Sequence, residues 1–543
     1  MNIDNLTLPK TNSLVKDYVE GKENAMQFFG LSPYDLDSYR ERLTYLQSRD
    51  LPHRELLVEG LRAYNRQIGN RPEALEQIER LRFRDTYVVV AGQQAGLFTG
   101  PLYTIHKAVH VIQTAHHLEK ELGISVVPVF WIAGEDHDTD EIDHVHTLAD
   151  DGRIEKIRLK IKKQGKASAS MLTIEVDEML RVVERFFTLQ TETVHTSKLR
   201  QLLVDTAMSS KTLVDWFAKL MVQFFGKHGL ILLESSASFV RELEKPVFQQ
   251  VIEKNQQITA ILLDAERRLQ MSGYQTQLSL EESSAHFFLY ENGERLLMER
   301  SETGFQSKDK RCTYSRQQLL DELARRPEKF SANVVTRPLM QEHLLPTLAF
   351  IGGSGELAYW AYFKEYFASM GYQLPICLPR TSMTLLELSI ARKLELFDLS
   401  IETVLNDFPA WKQKWQASLD DQQFAQEFEH AKTAIADIYQ PIANRVVEYD
   451  AGLKQLVEKN IAKLMEQITF LQRRTEKSIL EKHEVSVRRI ERIERNLIPN
   501  GVLQERVFCI FQYANKYGLE VVDRLVNEPF SLDSVHKVVN LSG

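Results

Sequence analysis

At 543 residues the chain is long enough for roughly three or four domain-sized units. Its 43% hydrophobic and 26% charged content fits a globular protein with a full-sized core, and a formal net charge of −8 argues against bulk binding of nucleic acid or anionic membrane. Cys312, Cys377 and Cys509 are far apart and form no Cys-x-x-Cys, so they spell neither a disulfide framework nor a zinc site, as expected in a reducing cytoplasm. No basic stretch followed by an apolar core opens the chain, and no apolar run approaches the ~20 residues that span a bilayer. A soluble cytoplasmic protein is expected.

In chain order, residues 35–81 show leucines at helical spacing among Arg and Glu. A β-branched strand over 87–91 follows, ending in Gly92-Gln93-Gln94-Ala95-Gly96. Pro101 suits a first helical turn with Thr99 or Gly100 as cap, and Gly123 supplies the stop of that helix. The next strand, 126–133, runs into Gly134-Glu135-Asp136-His137-Asp138. A strand, a long helix and a second strand make a parallel crossover unit.

From 151 to 195 the pattern loosens into short strands, 154–161 and 171–176, then a helix. Residues 202–225 read as helix and 229–234 as a buried strand. Asn292-Gly293 between apolar-rich runs signals a hairpin. Sheet pattern resumes at 347–351, followed by Gly352-Gly353-Ser354-Gly355-Glu356, a helix over 357–370 and a short run over 375–378 ending in Pro379-Arg380.

Beyond Asp398, Phe424, Phe428, Ala431, Ile435, Ile438, Ile442 and Tyr449 fall at alternating spacings of four and three broken only by Arg445, and Val457, Ile461, Leu464, Ile468 and Leu471 repeat the stripe. This is coiled-coil spacing, with Asp450-Ala451-Gly452 as the reversal of an antiparallel hairpin and Pro441 expected to kink its first arm. Ile490, Ile493 and Leu497 lie one position out of phase, as a stutter or a change of partner produces. Arg473, Arg474, Lys477, Lys482, Arg488, Arg489, Arg492 and Arg495 form a basic band that reads as a solvated face paired with interleaved Glu.

The expected architecture is α/β: a Rossmann-like parallel sheet with connecting insertions and a long coiled-coil arm. Residues 1–150, 226–269 and 331–397 would supply the core, 151–225 and 270–330 two insertions, 398–500 the arm and 501–543 a tail of mixed helix. Strand-end glycines followed by polar residues present a ligand crevice, so a nucleotide or phosphate-bearing substrate is the first expectation.

Among the strand-end residues, His106 lies near the second turn of the helix after Pro101, where the dipole favours an anionic group. Thr99, Gly100, Lys107, Gly352 and Gly353 are the companion candidates for nucleotide or phosphate, while Gln93 and Gln94 suit a substrate hydroxyl or amide. Three carboxylates and His137 directly after Gly134 repel one another unless a cation meets them: a metal, a substrate ammonium, or Arg and Lys from elsewhere. Arg337 and Arg380 suit a carboxylate, and Glu356 a cation or hydroxyl. For each of these residues a packing or salt-bridge role is the structural alternative.

The run from Gly92 to Lys107, the Trp131–Asp138 segment, Asn333-Val334-Val335-Thr336-Arg337, Gly352 to Glu356, Pro379-Arg380 and Leu503-Gln504-Glu505-Arg506 closely resemble the bacillithiol biosynthesis cysteine-adding enzymes, over essentially the whole length. The resemblance implies a ligase that joins L-cysteine to glucosaminyl-malate in the last step of bacillithiol synthesis. It also implies a core similar to class I aminoacyl-tRNA synthetases and an arm associated with dimerisation. His106, Asp136 and His137 then become the catalytic candidates; Gln93, Gln94, Glu135, Asp138, Arg337, Glu356 and Arg380 contact substrate. The chain departs from the class I pattern in having no His-x-Gly-His, no Lys-Met-Ser-Lys-Ser loop and no cysteine cluster for zinc. ATP is the candidate activator, and the metal requirement stays open. The alternative from a different class is a nucleotide-responsive interaction protein with the arm as its working part; a third is metal-dependent hydrolysis at Glu135–Asp138.

Overall fold

The computed structural model describes residues 2–9, 12–161, 165–420 and 423–541. They form two compact units: Met1–Leu386 with Val502–Gly543, and Glu387–Gly501. Among the described residues no helix is long and apolar enough to cross a membrane.

The first unit is built on five parallel strands, β1 (Thr86–Gln93), β2 (Ser125–Ile132), β3 (Ile231–Glu234), β4 (Thr347–Gly352) and β5 (Ile376–Pro379), in the order 5-4-1-2-3. Alternate side chains enter opposite cores: Tyr87, Val89 and Ala91 pack on one face of β1, Val88 and Val90 on the other. A sheet covered on both faces explains why its strands are continuous apolar runs. The helix Leu102–Leu122 makes the β1–β2 crossover and stops at Gly123 in left-handed geometry. Pro101 caps that helix from outside it, not from its first turn.

Between β2 and β3 a two-stranded ribbon, His144–Leu148 with Ile154–Arg158, is followed by three helices. The strand expected over 171–176 is reduced to a single bridge, Thr173 with Thr212, because the helix Val176–Phe187 begins there. The helix expected over 202–225 is two, Thr196–Met208 and Leu213–Phe225, the second capped by Thr212. Between β3 and β4 lies an antiparallel five-stranded sheet whose hairpin, Ser284–Glu291 with Glu294–Ser301, turns at Asn292-Gly293, both at positive φ. The helix expected over 357–370 breaks into Ser354–Trp360 and Lys364–Ser369. The tail is not all helix: His536–Leu541 pairs antiparallel with Asn2–Leu6 and neighbours Met383–Glu387.

In the second unit Phe424–Tyr449 and Lys454–Lys482 form the hairpin, reversing through a turn over Ala451–Leu453 that Asp450 caps. The first helix runs on unbroken through Pro441. Tyr439 donates to Asn460 at 2.5 Å and Lys432 to Gln472 at 2.7 Å across the pair. Ile490, Ile493 and Leu497 belong to a separate helix, Glu484–Leu497, and are buried; that helix packs on Leu388–Leu396, so the phase slip is a change of partner. Within the basic band Lys477, Arg488 and Arg495 pair with Glu four residues away on the same helix.

Two buried histidines lock the loop after β5. His110 Nδ1 accepts from the Thr381 amide at 3.1 Å, and His536 bridges Ser382 at 2.7 Å and Thr384 at 2.9 Å. Burial lowers His110 from 6.5 to about 3 and His536 to about 4. The unfolded chain therefore binds more protons below pH 6.5, so this stability is complete above that value and is lost as pH falls from 6.5 towards 4. The melting temperature should drop on acidification, each ring contributing about 1 kcal/mol of loss by pH 5.5. Calorimetry across that range checks it, with His536→Gln expected to flatten part of the slope.

Candidate active site

The strand order reverses direction between β1 and β4, where the loops leaving their carboxyl ends diverge and leave a crevice. A cavity of about 850 Å³ lies there, within the first unit. Its floor is Gly92 and Gln93 at the end of β1 and Trp131 and Ala133 at the end of β2. Gly92 is needed: a Cβ there would sit 2.9 Å from the Trp131 carbonyl oxygen.

One wall comes from the acidic segment, and its four polar residues part company. Glu135 turns inward and is buried, accepting from Arg241 at 2.5 Å, Ser331 at 2.7 Å and the Ala332 amide at 3.1 Å. Arg241 also holds Glu244 at 2.6 Å, so Glu135 is committed to a buried ion cluster although it edges the cavity. Asp136 faces the cavity and accepts from Gln94 at 2.7 Å and from the Asp138 amide at 3.2 Å. Burial would raise its pKa, but the Gln94 and amide hydrogen bonds and the nearby Arg295 hold it below the usual carboxylate value. His137 also lines the cavity, its Nδ1 3.0 Å from Arg295 Nη1 and its ring edge-on to Phe288. Asp138 points to solvent and accepts from the Asp140 amide at 3.2 Å; it is a turn residue outside the cavity, which corrects its expected contact with substrate.

Another stretch of the lining is cationic. Arg337, Arg380 and Arg506 line it with Tyr103 and Tyr359. Arg380 is clasped by the buried carboxylate of Glu505 at 2.8 and 2.6 Å, whereas Arg337 and Arg506 have no carboxylate partner among the described residues. Lys107 also lines the cavity and is buried, donating to the Gly92 carbonyl and Gln93 Oε1, each at 2.9 Å, and to Glu356. Three acceptors saturate an ammonium. Glu356 also accepts from the Gly353 amide at 2.8 Å, capping the helix it starts.

At the start of the helix after Pro101, part of the hydrogen-bonding capacity expected for a phosphate is already used within the fold. The Leu102 amide donates to the Phe508 carbonyl at 2.8 Å, Thr99 and Gly100 are buried, and the Thr99 hydroxyl donates back to the Phe98 carbonyl at 2.6 Å. Phe98, Thr99 and Gly100 are all at positive φ, a tight loop in which a Cβ on Gly96 would lie 2.8 Å from Gly100 Cα. The glycines here close a tight loop. Gly352 likewise ends β4, with its carbonyl accepting from the Arg380 amide, while Gly353 reaches the cavity.

His106 is fully buried and does not touch the cavity, so it is not placed to meet substrate. Its Nδ1 donates to Glu505 Oε2 at 2.9 Å, and its Nε2 is buried without a partner. Burial lowers the His106 pKa. Burial also opposes the charge on Glu505, but Arg380 and the His106 hydrogen bond hold its carboxyl well below the usual range. Arg295, Arg506 and Glu505 were not singled out from the sequence. Only Glu505 and Arg506 carried any signal, as part of the Leu503–Arg506 motif. Among the described residues no group of three or more His, Cys, Asp or Glu is placed to hold a metal ion.

Residues 1–381 match the N-terminal Rossmann-like domain of bacillithiol biosynthesis BshC, and residues 383–541 match its C-terminal coiled-coil domain. The chain belongs to the BshC family. It is 37% identical to a relative from Bacillus cereus and to one from Bacillus anthracis, and 38% identical to one from Bacillus mycoides, each aligned over 544 residues and 100% of both chains. Each of these BshC relatives is named "Putative cysteine ligase BshC".

Because Glu505 is the buried counter-charge of Arg380, Glu505→Gln should destabilise the first unit by roughly 3 kcal/mol, the cost of leaving a buried cation unpaired. His106→Ala, which removes one donor to that carboxylate, should lose less, about 1 to 2 kcal/mol. Denaturant titration of both variants measures the difference; equal losses would place the weight of the cluster on His106.

Proposed function

We propose that this BshC-family chain is a ligase that forms an amide bond between L-cysteine and glucosaminyl-malate, completing bacillithiol. The observation that carries the reading is that one cavity is lined both by an ionised carboxylate, Asp136, and by the guanidinium groups of Arg337 and Arg506, neither of which is paired with a carboxylate among the described residues. A volume of about 850 Å³ is ample for two small polar substrates side by side. In this reading Asp136 and Gln94 receive the substrate amine. Arg337 and Arg506, with Arg380 behind them, receive the malate carboxylates by forked hydrogen bonds. ATP is the proposed activator of the cysteine carboxyl. Its phosphates would meet the arginine wall, since the helix start at Leu102 is already occupied by the Phe508 carbonyl.

Purified protein given both substrates and ATP should yield bacillithiol and AMP, and a strain lacking the chain should lose bacillithiol. Normal thiol levels in that strain would overturn the reading. Asp136→Asn should lower kcat/KM for cysteine roughly 100-fold or more, and Arg337→Ala should raise KM for glucosaminyl-malate roughly 10- to 100-fold. Both should leave the circular dichroism unchanged.

The arm is proposed to pair two copies of the chain. Its helices of 26 and 29 residues reach about 40 Å. Yet Ile438, Ile442, Leu464 and Leu471 of the stripe stay exposed, and Ala443 is the one buried residue described in the two helices. A two-fold contact between arms would cover them. Replacing residues 418–497 by a short linker should leave a monomer in sedimentation; a deletion protein that is still dimeric would place the interface in the first unit.

A further inference from the structure

His137 stands beside an ionised aspartate in a cavity, the arrangement from which a histidine general base is ordinarily read. The geometry around its ring excludes that. A guanidinium can only donate hydrogen bonds. Arg295 Nη1 lies 3.0 Å from His137 Nδ1, so Nδ1 must present its lone pair and the single proton of a neutral ring must sit on Nε2. The competing arrangement, Nδ1–H held by Asp136, is not made: Asp136 Oδ1 is 3.8 Å from Nδ1 and accepts from the Asp138 amide, while Gln94 donates to Oδ2 and fixes the carboxylate.

Arg295 cannot easily turn away. It is buried, its Nε donates to Ser331 Oγ at 2.8 Å, its Nη2 donates to the Ala332 carbonyl at 2.6 Å, and its Cζ lies over the Phe288 ring, 3.7 Å from the ring centroid. Ser331 and Ala332 are the groups that also grip Glu135, so the strand Phe330–Ala332 fixes both Arg295 and the acidic segment. The charged groups facing His137 are Arg295 and Lys166, which disfavour its protonation, and Asp136 and Asp138, which favour it; burial and Arg295 prevail and keep the ring neutral.

We propose that His137 meets substrate as a neutral Nε2–H donor to an oxygen atom, not as a proton acceptor, and that Arg295 is the positioning residue that sets this tautomer. The inference rests on the ligase reading for the identity of the oxygen, a carbonyl or carboxyl oxygen of the cysteinyl part. The tautomer itself does not depend on that reading. A donor aimed at such an oxygen polarises it, and a fixed donor of this kind is worth about 100- to 1,000-fold in rate where negative charge develops. Proton removal from the attacking amine then falls to Asp136 or to solvent.

The test uses the full-length protein and two readouts. Nitrogen-15 spectra of histidine-labelled protein, with the His137 signals assigned by their absence in His137→Gln, should show Nε2 protonated and Nδ1 bare between pH 6 and 8. A ring protonated on Nδ1, or on both nitrogens, overturns the proposal whatever the protein's activity. In the ligation assay His137→Gln, which keeps an N–H donor but has no basic nitrogen, should retain kcat/KM within about ten-fold and an unchanged pH profile, whereas His137→Leu should lose about 100- to 1,000-fold. A general base would show equal losses in both variants, with loss of the acidic limb of the profile, and that result also overturns the proposal. If wild-type protein makes no bacillithiol from the two substrates and ATP, the ligase reading fails, and the spectra still decide the tautomer.

Discussion

Burying an arginine and a glutamate together is costly unless each finds all its partners, and the pair Arg380–Glu505 finds them. Glu505 takes two hydrogen bonds from the guanidinium, one from His106 and one from the Met383 amide at 3.1 Å. Those four donors come from the helix after β1, the loop after β5 and the segment that follows. The carboxylate is supplied by chain that rejoins the first unit only after residue 501. Gln504, beside it, accepts from the Leu385 amide at 2.7 Å. The first unit is therefore closed by residues on either side of the second in sequence. The cationic wall cannot be set until the segment after residue 501 has docked. A histidine in this setting works at one remove from substrate: it keeps the carboxylate that keeps Arg380.

The cavity then sorts its polar groups by what the protein has already taken from them. Lys107, Glu356 and Glu135 are satisfied internally, and they hold the loops after β1, β4 and β2 at fixed separations. Asp136, Arg337 and Arg506 keep unspent valences towards the cavity. Desolvating a charge and leaving it unpaired is expensive, so the charged groups with hydrogen-bonding capacity to spare are those at the open crevice, where water or substrate supplies the missing bonds. Their presence in one cavity is the physical basis for expecting a substrate with charge of both signs.

Much of this was legible in the sequence where the signal is local. Covered parallel strands must be apolar on both faces, so 87–91, 126–133 and 347–351 stood out. Asn292-Gly293 gave the hairpin turn because both residues tolerate positive φ, and three–four spacing gave the arm helices. What stayed hidden depends on partners far away in sequence. The helix start at Leu102 looks like an anion site until Phe508, more than 400 residues later, places its carbonyl there. Arg295 sits on a solvent-patterned strand of the second insertion and has no spacing relation to His137. The break between Trp360 and Lys364 is also tertiary: Phe350, Phe363 and Phe367 pack around Trp360, and that packing prevails over helix continuation.

The acidic run after β2 shows why four adjacent polar residues need a sheet edge. Successive residues at the end of a strand point to opposite faces, and beyond Gly134 the chain turns tightly; a Cβ on Gly134 would meet Glu234 Oε1 at 2.3 Å. Glu135 can thus go down to Arg241 while Asp136 goes across to Gln94, His137 goes to Arg295 from the insertion, and Asp138 closes a turn in solvent. In a helix the same four residues would crowd within a single turn, and their carboxylates would compete for the same cations. Spread over four neighbours, only Asp136 and His137 are left to the cavity. One of them is an acceptor held ionised by its amides, and the other is a ring whose one free atom is a donor.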